Sequence, residues 1–232
     1  MPRSREDRGA RARRIVRLLE GEYGVPRAEP GGDLVGQLVG TILSQHTTDT
    51  SSDAAYGRLR ERFGSWDAVE EADRRAIAAT IRTAGLARVK ARRIKEVLGR
   101  IRRERGRIDL GFLKAMPSRA ALDYLVGFDG VGPKTAACVL LFGLGRDVMP
   151  VDTHVHRVVG RLGIVGHPAS REATFEALSD VVPRGKALSL HVNLVRHGRA
   201  VCRARSPRCG ACVLARACGS GGRARQPRSG TP

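Results

Sequence analysis

Apolar residues recur at helical spacing along most of the chain, over 34–43, 54–63, 76–81, 89–101, 120–126, 135–144, 155–164, 173–182 and 187–195. The period-two alternation of a half-buried strand is missing. The best strand candidate, 147–151, is short and isolated, so a sheet with crossover helices cannot be built from it. The pattern predicts an all-α fold.

Start and stop signals agree with these helices. Asp49 and Ser65 stand at plausible N-caps, Ser118 precedes a helix expected from Arg119, and Gly85 and Gly127 fall where helices should end. The final stretch, "GSGGRARQPRSGTP" (219–232), has three arginines, no acid and no apolar anchor. It reads as a disordered basic tail, either simply solvated or in weak contact with DNA.

Composition adds a partner to this picture. A chain of 232 residues with 41% hydrophobic content can fill one large domain or two small ones. Lys and Arg number 42 against 23 acids, a formal charge of +19, which points first to nucleic acid, because each phosphate neutralised releases counterions. An Arg-rich soluble surface is the plainer alternative. The first thirty residues lack an apolar run long enough for a signal peptide, and no segment approaches the ~18 apolar residues of a membrane span. A cytoplasmic, nucleoid-associated protein that does not enter membranes is therefore expected. Five cysteines in that compartment argue against a disulfide framework and for metal binding or burial.

The stretch "GFDGVGPKTAACVLLF" (127–142) looks at first like a phosphate-binding loop. A nucleotide P-loop must follow a strand, whereas the preceding "SRAALDYLVG" is helical, and Pro133 interrupts the expected spacing. What remains is helix, glycine hairpin, helix, with Pro133 well suited to a first helical turn. Backbone N–H groups around Gly130, Val131 and Gly132, with the helix N-terminus at Thr135, can hold a DNA phosphate without reading any base.

Phe128-Asp129-Gly130-Val131-Gly132-Pro133-Lys134-Thr135-Ala136 resembles the helix-hairpin-helix motif of base-excision DNA glycosylases of the endonuclease III family, in which the hairpin usually reads Leu-Pro-Gly-Val-Gly before a variable residue and Lys-Thr-Ala. The Phe-Asp departure sets an acid beside the phosphate site and predicts weaker DNA affinity there. The resemblance makes Lys134 the nucleophile. Its residue type supports that role: the chain has only five lysines among its 42 basic residues, and a lysine amine, unlike arginine, can attack a sugar carbon and form a Schiff base once its pKa is lowered. An ordinary phosphate-contacting lysine is the alternative. Eighteen residues on, "VDTH" places Asp152 at the family's catalytic carboxylate, where it would stabilise positive charge on the sugar. Without the resemblance Asp152 would read as an N-cap. His154 and His156, two apart on a helix, make a poor metal pair, and His154 matches the family pattern as a residue packing near Asp152.

Cys202, Cys209, Cys212 and Cys218 form C-x6-C-x2-C-x5-C, and four thiols so close in sequence imply a shared metal or cluster. Structural zinc is the rival, although zinc sites usually pair two short C-x2-4-C units and only one is present. The spacing resembles the family's cluster loop, which implies a [4Fe-4S] cofactor that braces Arg203, Arg205 and Arg208 for the DNA backbone. Cys138, alone in an apolar run, reads as a small buried residue.

Cutting a glycosidic bond inside a duplex requires the base to be flipped and the hole filled. The family fills it with a Gln from Leu-Ser-Ala-Gln-Ala-Thr-Asp and a Leu from Ile-Gly-Leu. Aligned on Ser44, Thr48 and Asp49, the first wedge falls on His46, with Gln45 beside it, and the second on Leu86. The resemblance spans about 27–218. It implies a six-helix domain over 27–146, with its helix-hairpin-helix at about 120–145, a cluster domain from 1–26 and 147–218, and DNA in the cleft between them. The implied activity is that of a bifunctional DNA glycosylase and apurinic/apyrimidinic lyase, a monomer acting on duplex DNA with oxidised pyrimidines or abasic sites. A monofunctional mismatch or alkylbase glycosylase and a catalytically idle DNA-structure-binding protein are the alternatives.

Overall fold

The computed structural model describes residues 5–166 and 170–220, and every regular element among them is helical. The chain divides into two units, one of Glu29–Arg146 and one assembled from the flanking segments, up to Ala28 and from Asp147. The tail from 221 onward lies outside the described residues. No described helix is long and apolar enough to cross a membrane.

With α1 at Arg5–Tyr23, the middle unit begins at α2, Leu34–Ser44, and continues through α3 (Asp49–Phe63), α4 (Trp66–Glu71), α5 (Arg74–Thr80), α6 (Ala87–Arg105), α7 (Ser118–Val126) and α8 (Pro133–Cys138). The sequence of α2 is apolar on nearly every side, and Leu34, Val35, Leu38, Val39, Ile42 and Leu43 are all buried, as a helix without a polar face requires. It packs against α3, α6, α8 and the π turn Val139–Gly143 that extends α8. Gly143 permits that approach, because a Cβ there would stand 2.8 Å from Leu34 Cδ2. In α6 an apolar stripe (Ala91, Ile94, Val97, Leu98, Ile101) is buried, and Lys90 and Gly99 are buried with it.

The caps differ in detail from the sequence expectation. Thr48, one residue before Asp49, caps α3 by accepting from Ser51 N, and Asp49 is the first helical residue. Ser65 caps α4 as expected. Ser118 begins α7 without capping it; Pro117 precedes it and sets the chain direction instead. Gly85 ends a 3-10 turn, Arg82–Ala84, in a positive-φ conformation (φ 66°), whereas Gly127 ends α7 in ordinary right-handed geometry.

In the second unit, α1 escapes the sequence reading. Its core stripe Ala12, Ile15, Val16 and Leu19 has helical spacing, but the arginines between mask it. It packs on α11 (Ala187–Ala200), which also meets α9 (Thr153–Leu162); α10 (Arg171–Ser179) covers α9. The strand considered at 147–151 does not form. Asp147 instead accepts from Gly185 N (2.6 Å) and Ala187 N (2.9 Å), serving as a remote cap for α11, whose own N-cap residue Lys186 supplies none.

Asp33 does double work in the middle unit. It caps α2 through Gly36 N (2.8 Å) and accepts from the indole N–H of buried Trp66 (2.5 Å). Asp33→Ala should therefore cost about 2–4 kcal/mol in chemical denaturation, the sum of a lost cap and an unpaired buried donor. Asp33→Asn, which keeps one acceptor oxygen but turns an amide NH2 towards the second N–H, should recover only part of that stability. A loss below about 0.5 kcal/mol, the size of an ordinary surface change, would refute the double role.

Candidate functional site

Between α7 and α8 the chain turns through Gly130, whose φ of 74° suits glycine, and whose missing side chain leaves room for Arg93 to lie over it. The Val131 amide donates to the Phe128 carbonyl (3.1 Å), closing the turn. Val131 was expected at the phosphate through its amide; its N–H is committed to the turn and its side chain to the core. Gly132 is exposed, with nothing within 4 Å of where a Cβ would stand, so its face is open to an approaching group. Pro133 occupies the first helical position of α8, and no side chain caps the amides that follow.

Phe128 and Asp129, the departures from the family pattern, have separate explanations. Phe128 is core: it is buried, meets Tyr124 edge-on with centroids 5.3 Å apart, and carries the Arg100 guanidinium 4.8 Å above its ring. Asp129 is exposed and pairs with Arg92 (3.2 Å) and, more distantly, Arg93 (4.0 Å). The acid near the hairpin thus brings its own counter-charge.

Gln45, expected beside a wedge, is built into this hairpin. Its Nε2 donates to the Gly130 carbonyl (3.0 Å) and to Thr135 Oγ1 (3.2 Å), while its Oε1 accepts from Arg93 (3.3 Å). Thr135 is buried and holds Gln45 rather than facing outward. Lys134, next to it, is half-buried and makes no hydrogen bond or ion pair among the described residues.

His46 and Leu86 share an uncommon property. Both are exposed, and both hold left-handed backbone, at φ 53° and 48°, a conformation non-glycine residues adopt at a cost of roughly 1 kcal/mol or more. One group fixes both loops. Lys90, 1% exposed, donates from its ammonium to the Leu43 carbonyl (2.7 Å), just ahead of His46, and to the Ala84 carbonyl (2.7 Å), just ahead of Leu86. Sequence reasoning missed it, since a lysine among arginines on α6 looks like surface.

In the other unit Asp152 caps α9, its Oδ1 accepting from Val155 N (2.7 Å) while Oδ2 has no hydrogen-bond partner among the described residues. His154 Nδ1 lies 3.1 Å from Arg157 and His156 Nδ1 lies 2.7 Å from the Thr174 hydroxyl, so the two histidines serve different neighbours.

Cys202, Cys209, Cys212 and Cys218 lie half-buried in a loop with two short 3-10 turns, Cys209–Ala211 and Ala215–Ala217, and none is in a disulfide. Burial pushes the Cys212 thiol up, and the other three cysteines each push it further, as four sulfurs in one neighbourhood must. Among the described residues no three His, Cys, Asp or Glu side chains stand in ion-binding geometry. The donor chemistry, four thiols and no carboxylate, fits a soft metal or an iron-sulfur cluster. His197, buried, bridges the Tyr23 hydroxyl (2.9 Å) and Cys212 Sγ (3.5 Å); burial pulls it below the ordinary histidine value.

Three arginines unnoticed in the sequence hold this loop by its carbonyls. Arg157 donates to Cys202 O (3.0 Å), Arg161 to Arg203 O (2.7 Å) and Ala204 O (3.0 Å), and Arg11 to Leu162 O (2.8 Å) and Ala217 O. Arg203, Arg205 and Arg208 remain exposed, with no ion pair among the described residues.

Two helices joined by a hairpin that turns at a left-handed glycine, the second entered through proline with its leading amides uncapped, define a helix-hairpin-helix protein. The chain belongs to the HhH-GPD superfamily of base excision DNA repair proteins, whose profile matches residues 39–184. It is 36% identical over 179 residues to an endonuclease III of Sulfolobus acidocaldarius (76% of this chain, 78% of that one) and 33% identical over 209 residues to an endonuclease III of Thermotoga maritima (89% and 90%). An Arabidopsis thaliana protein named as a DNA glycosylase is 40% identical over 162 residues, 70% of this chain but 55% of the plant protein, so this chain matches just over half of that relative. Among solved structures, endonuclease III in a trapped covalent DNA intermediate superposes with a TM-score of 0.80 at 26% identity, over 94% of this chain and 99% of that one.

Burial pulls the Lys90 amine below the ordinary lysine value of 10.5, so the unfolded chain holds that proton more tightly. The resulting penalty is complete below the folded-state value and fades as pH rises towards 10.5. Lys90→Met should cost about 2–4 kcal/mol at neutral pH by leaving two carbonyls unpaired. Parallel denaturation at neutral and alkaline pH should show the wild-type advantage growing with pH; an advantage that shrinks would contradict the assignment.

Proposed function

We propose that the protein is a base-excision repair DNA glycosylase with apurinic/apyrimidinic lyase activity. The observation that carries this reading is the partnerless amine of Lys134 beside a hairpin open at Gly132, in a chain of the HhH-GPD superfamily. Uncapped amides at the start of α8 suit a phosphate, which would hold the strand while Lys134 faces the sugar. Asp152, with one oxygen occupied in capping and the other available, would stabilise positive charge on the deoxyribose as the glycosidic bond breaks. The Lys134 amine then forms a bond to C1′ with its lone pair, while the base leaves with the bonding electron pair and takes up the proton that the amine gives up. Ring opening gives a Schiff base, and loss of a C2′ proton expels the 3′ phosphate by β-elimination, nicking the strand.

The substrate reading is an oxidised pyrimidine or an abasic site in duplex DNA, bound by a monomer. His46 and Leu86, exposed and held in left-handed loops, are the side chains suited to fill the space of a flipped base. Cys202, Cys209, Cys212 and Cys218 would hold a [4Fe-4S] cluster. Bound there, it would supply a rigid cross-link for a loop with little core, keeping Arg203, Arg205 and Arg208 ready for phosphates.

Borohydride should trap wild-type protein covalently on abasic duplex, and Lys134→Ala should abolish trapping; equal trapping by both would refute the lyase. Asp152→Asn should slow excision on the order of 100-fold or more, the usual scale for losing such a group. Purified protein should be brown and hold iron and acid-labile sulfide, with Cys212→Ser losing both. Colourless protein with stoichiometric zinc would exclude the cluster.

A further inference from the structure

From Arg74 to Lys95 the chain has six arginines, two lysines and no acid. The fold sorts these cations. Lys90 and Lys95 turn to backbone carbonyls, Lys95 to those of Glu70 and Ala72, and Arg93 leans over the hairpin glycine. The rest line an open groove of about 660 Å³ between α5 and the start of α6, where Arg74, Arg75, Arg82, Arg88 and Arg92 surround Ala78, Ala79 and Ala87.

At the groove's edge Arg92 already pairs with Glu96 and Asp129 (3.2 Å each), and other nearby acids are engaged away from it. Arg102 alone engages Asp67, Glu70 and Glu71. Asp73, beside the groove, turns its carboxylate onto the Arg75 amide (2.6 Å), and Glu61 lies in the neighbouring hollow with Arg58 and Arg62. Arg74, Arg75, Arg82 and Arg88 are exposed and make no ion pair among the described residues. Three of them, Arg74, Arg75 and Arg88, stand in the first turn of a helix, where a cation opposes the helix dipole by about 0.3–1 kcal/mol. Stability alone does not explain that placement; an external anion does.

We infer that this groove is a second phosphate track, which takes the DNA backbone to one side of the position gripped by the hairpin. Continuity argues for the same duplex: Arg92 at the groove's edge pairs with Asp129 in the hairpin, and Ala87 and Arg88 directly follow Leu86. The small alanine floor offers no apolar anchor for a protein side chain, whereas guanidinium forks match phosphate oxygens. The choice of DNA rests on the function proposed above; the presence of an anion track does not.

The test compares the full chain with a variant carrying Arg74→Gln, Arg75→Gln, Arg82→Gln and Arg88→Gln. A control carries Arg103→Gln, Arg105→Gln, Arg107→Gln and Arg119→Gln. Anisotropy titrations over a salt series use a long duplex with a central abasic-site analogue and two duplexes truncated on either side of it. The groove variant should flatten the log K against log salt slope by about 3, at roughly 0.9 per phosphate. Between 50 and 200 mM salt the wild type should then lose roughly 60-fold more affinity than the variant. Only one truncation should weaken the wild type to the variant's level, and trapping at saturating DNA should be unchanged.

An unchanged slope overturns the proposal. So does a loss that the control reproduces or that is equal for both truncations, either of which marks diffuse charge. Polyglutamate binding that depends on the groove arginines while DNA binding does not would also overturn it, in favour of an acidic protein. If no lesion is cut but the one-sided loss persists, the enzymatic reading fails and the track stands.

Discussion

Lys90 places an ammonium where water does not reach and gives it two carbonyls to hold, one from the end of α2 and one from the turn before α6. Each carbonyl lies at the end of a helical segment that leads within three residues to an exposed residue in left-handed conformation. A loop that stores backbone strain relaxes unless something outside it fixes its ends. Here a compact three-donor ammonium does so for two loops together. Gln45 continues the chain of constraint, since the residue after the first loop's helix also grips Gly130 and Thr135 in the hairpin. The two left-handed loops and the glycine hairpin are thereby parts of one hydrogen-bonded assembly.

The second unit solves a related problem with a different residue. A loop of four cysteines has few apolar side chains to bury, so its position is set through its backbone. Arg11, Arg157 and Arg161 reach carbonyls at both ends of the loop from α1 and α9. These arginines are structural although the chain's charge invites reading every one as a DNA contact. The charge of +19 is thus a poor guide to any single residue.

How much the sequence disclosed depended on the range of the interaction. Helices with an uninterrupted apolar stripe, such as α2, α6 and α9, were legible because their spacing is local, while α1 was hidden by arginines inserted at the stripe's edges. The glycine hairpin was legible as a turn before a proline-initiated helix. Val131's commitment to that turn was not, because an amide's partner depends on loop closure. The scarcity of lysine suggested chemistry at Lys134, yet Lys90, Lys95 and Lys186 show that lysine is also used where a small cation must meet carbonyls or Glu20. Gln45 and Lys90 reach partners up to 90 and 47 positions away, pairings that no local pattern encodes.

Asp129 carries one further consequence. Because Arg92 already has a carboxylate at 3.2 Å, a phosphate arriving there must exchange with an internal anion rather than fill an empty site. Exchange lowers the net gain from each encounter and leaves a ready replacement when the strand departs.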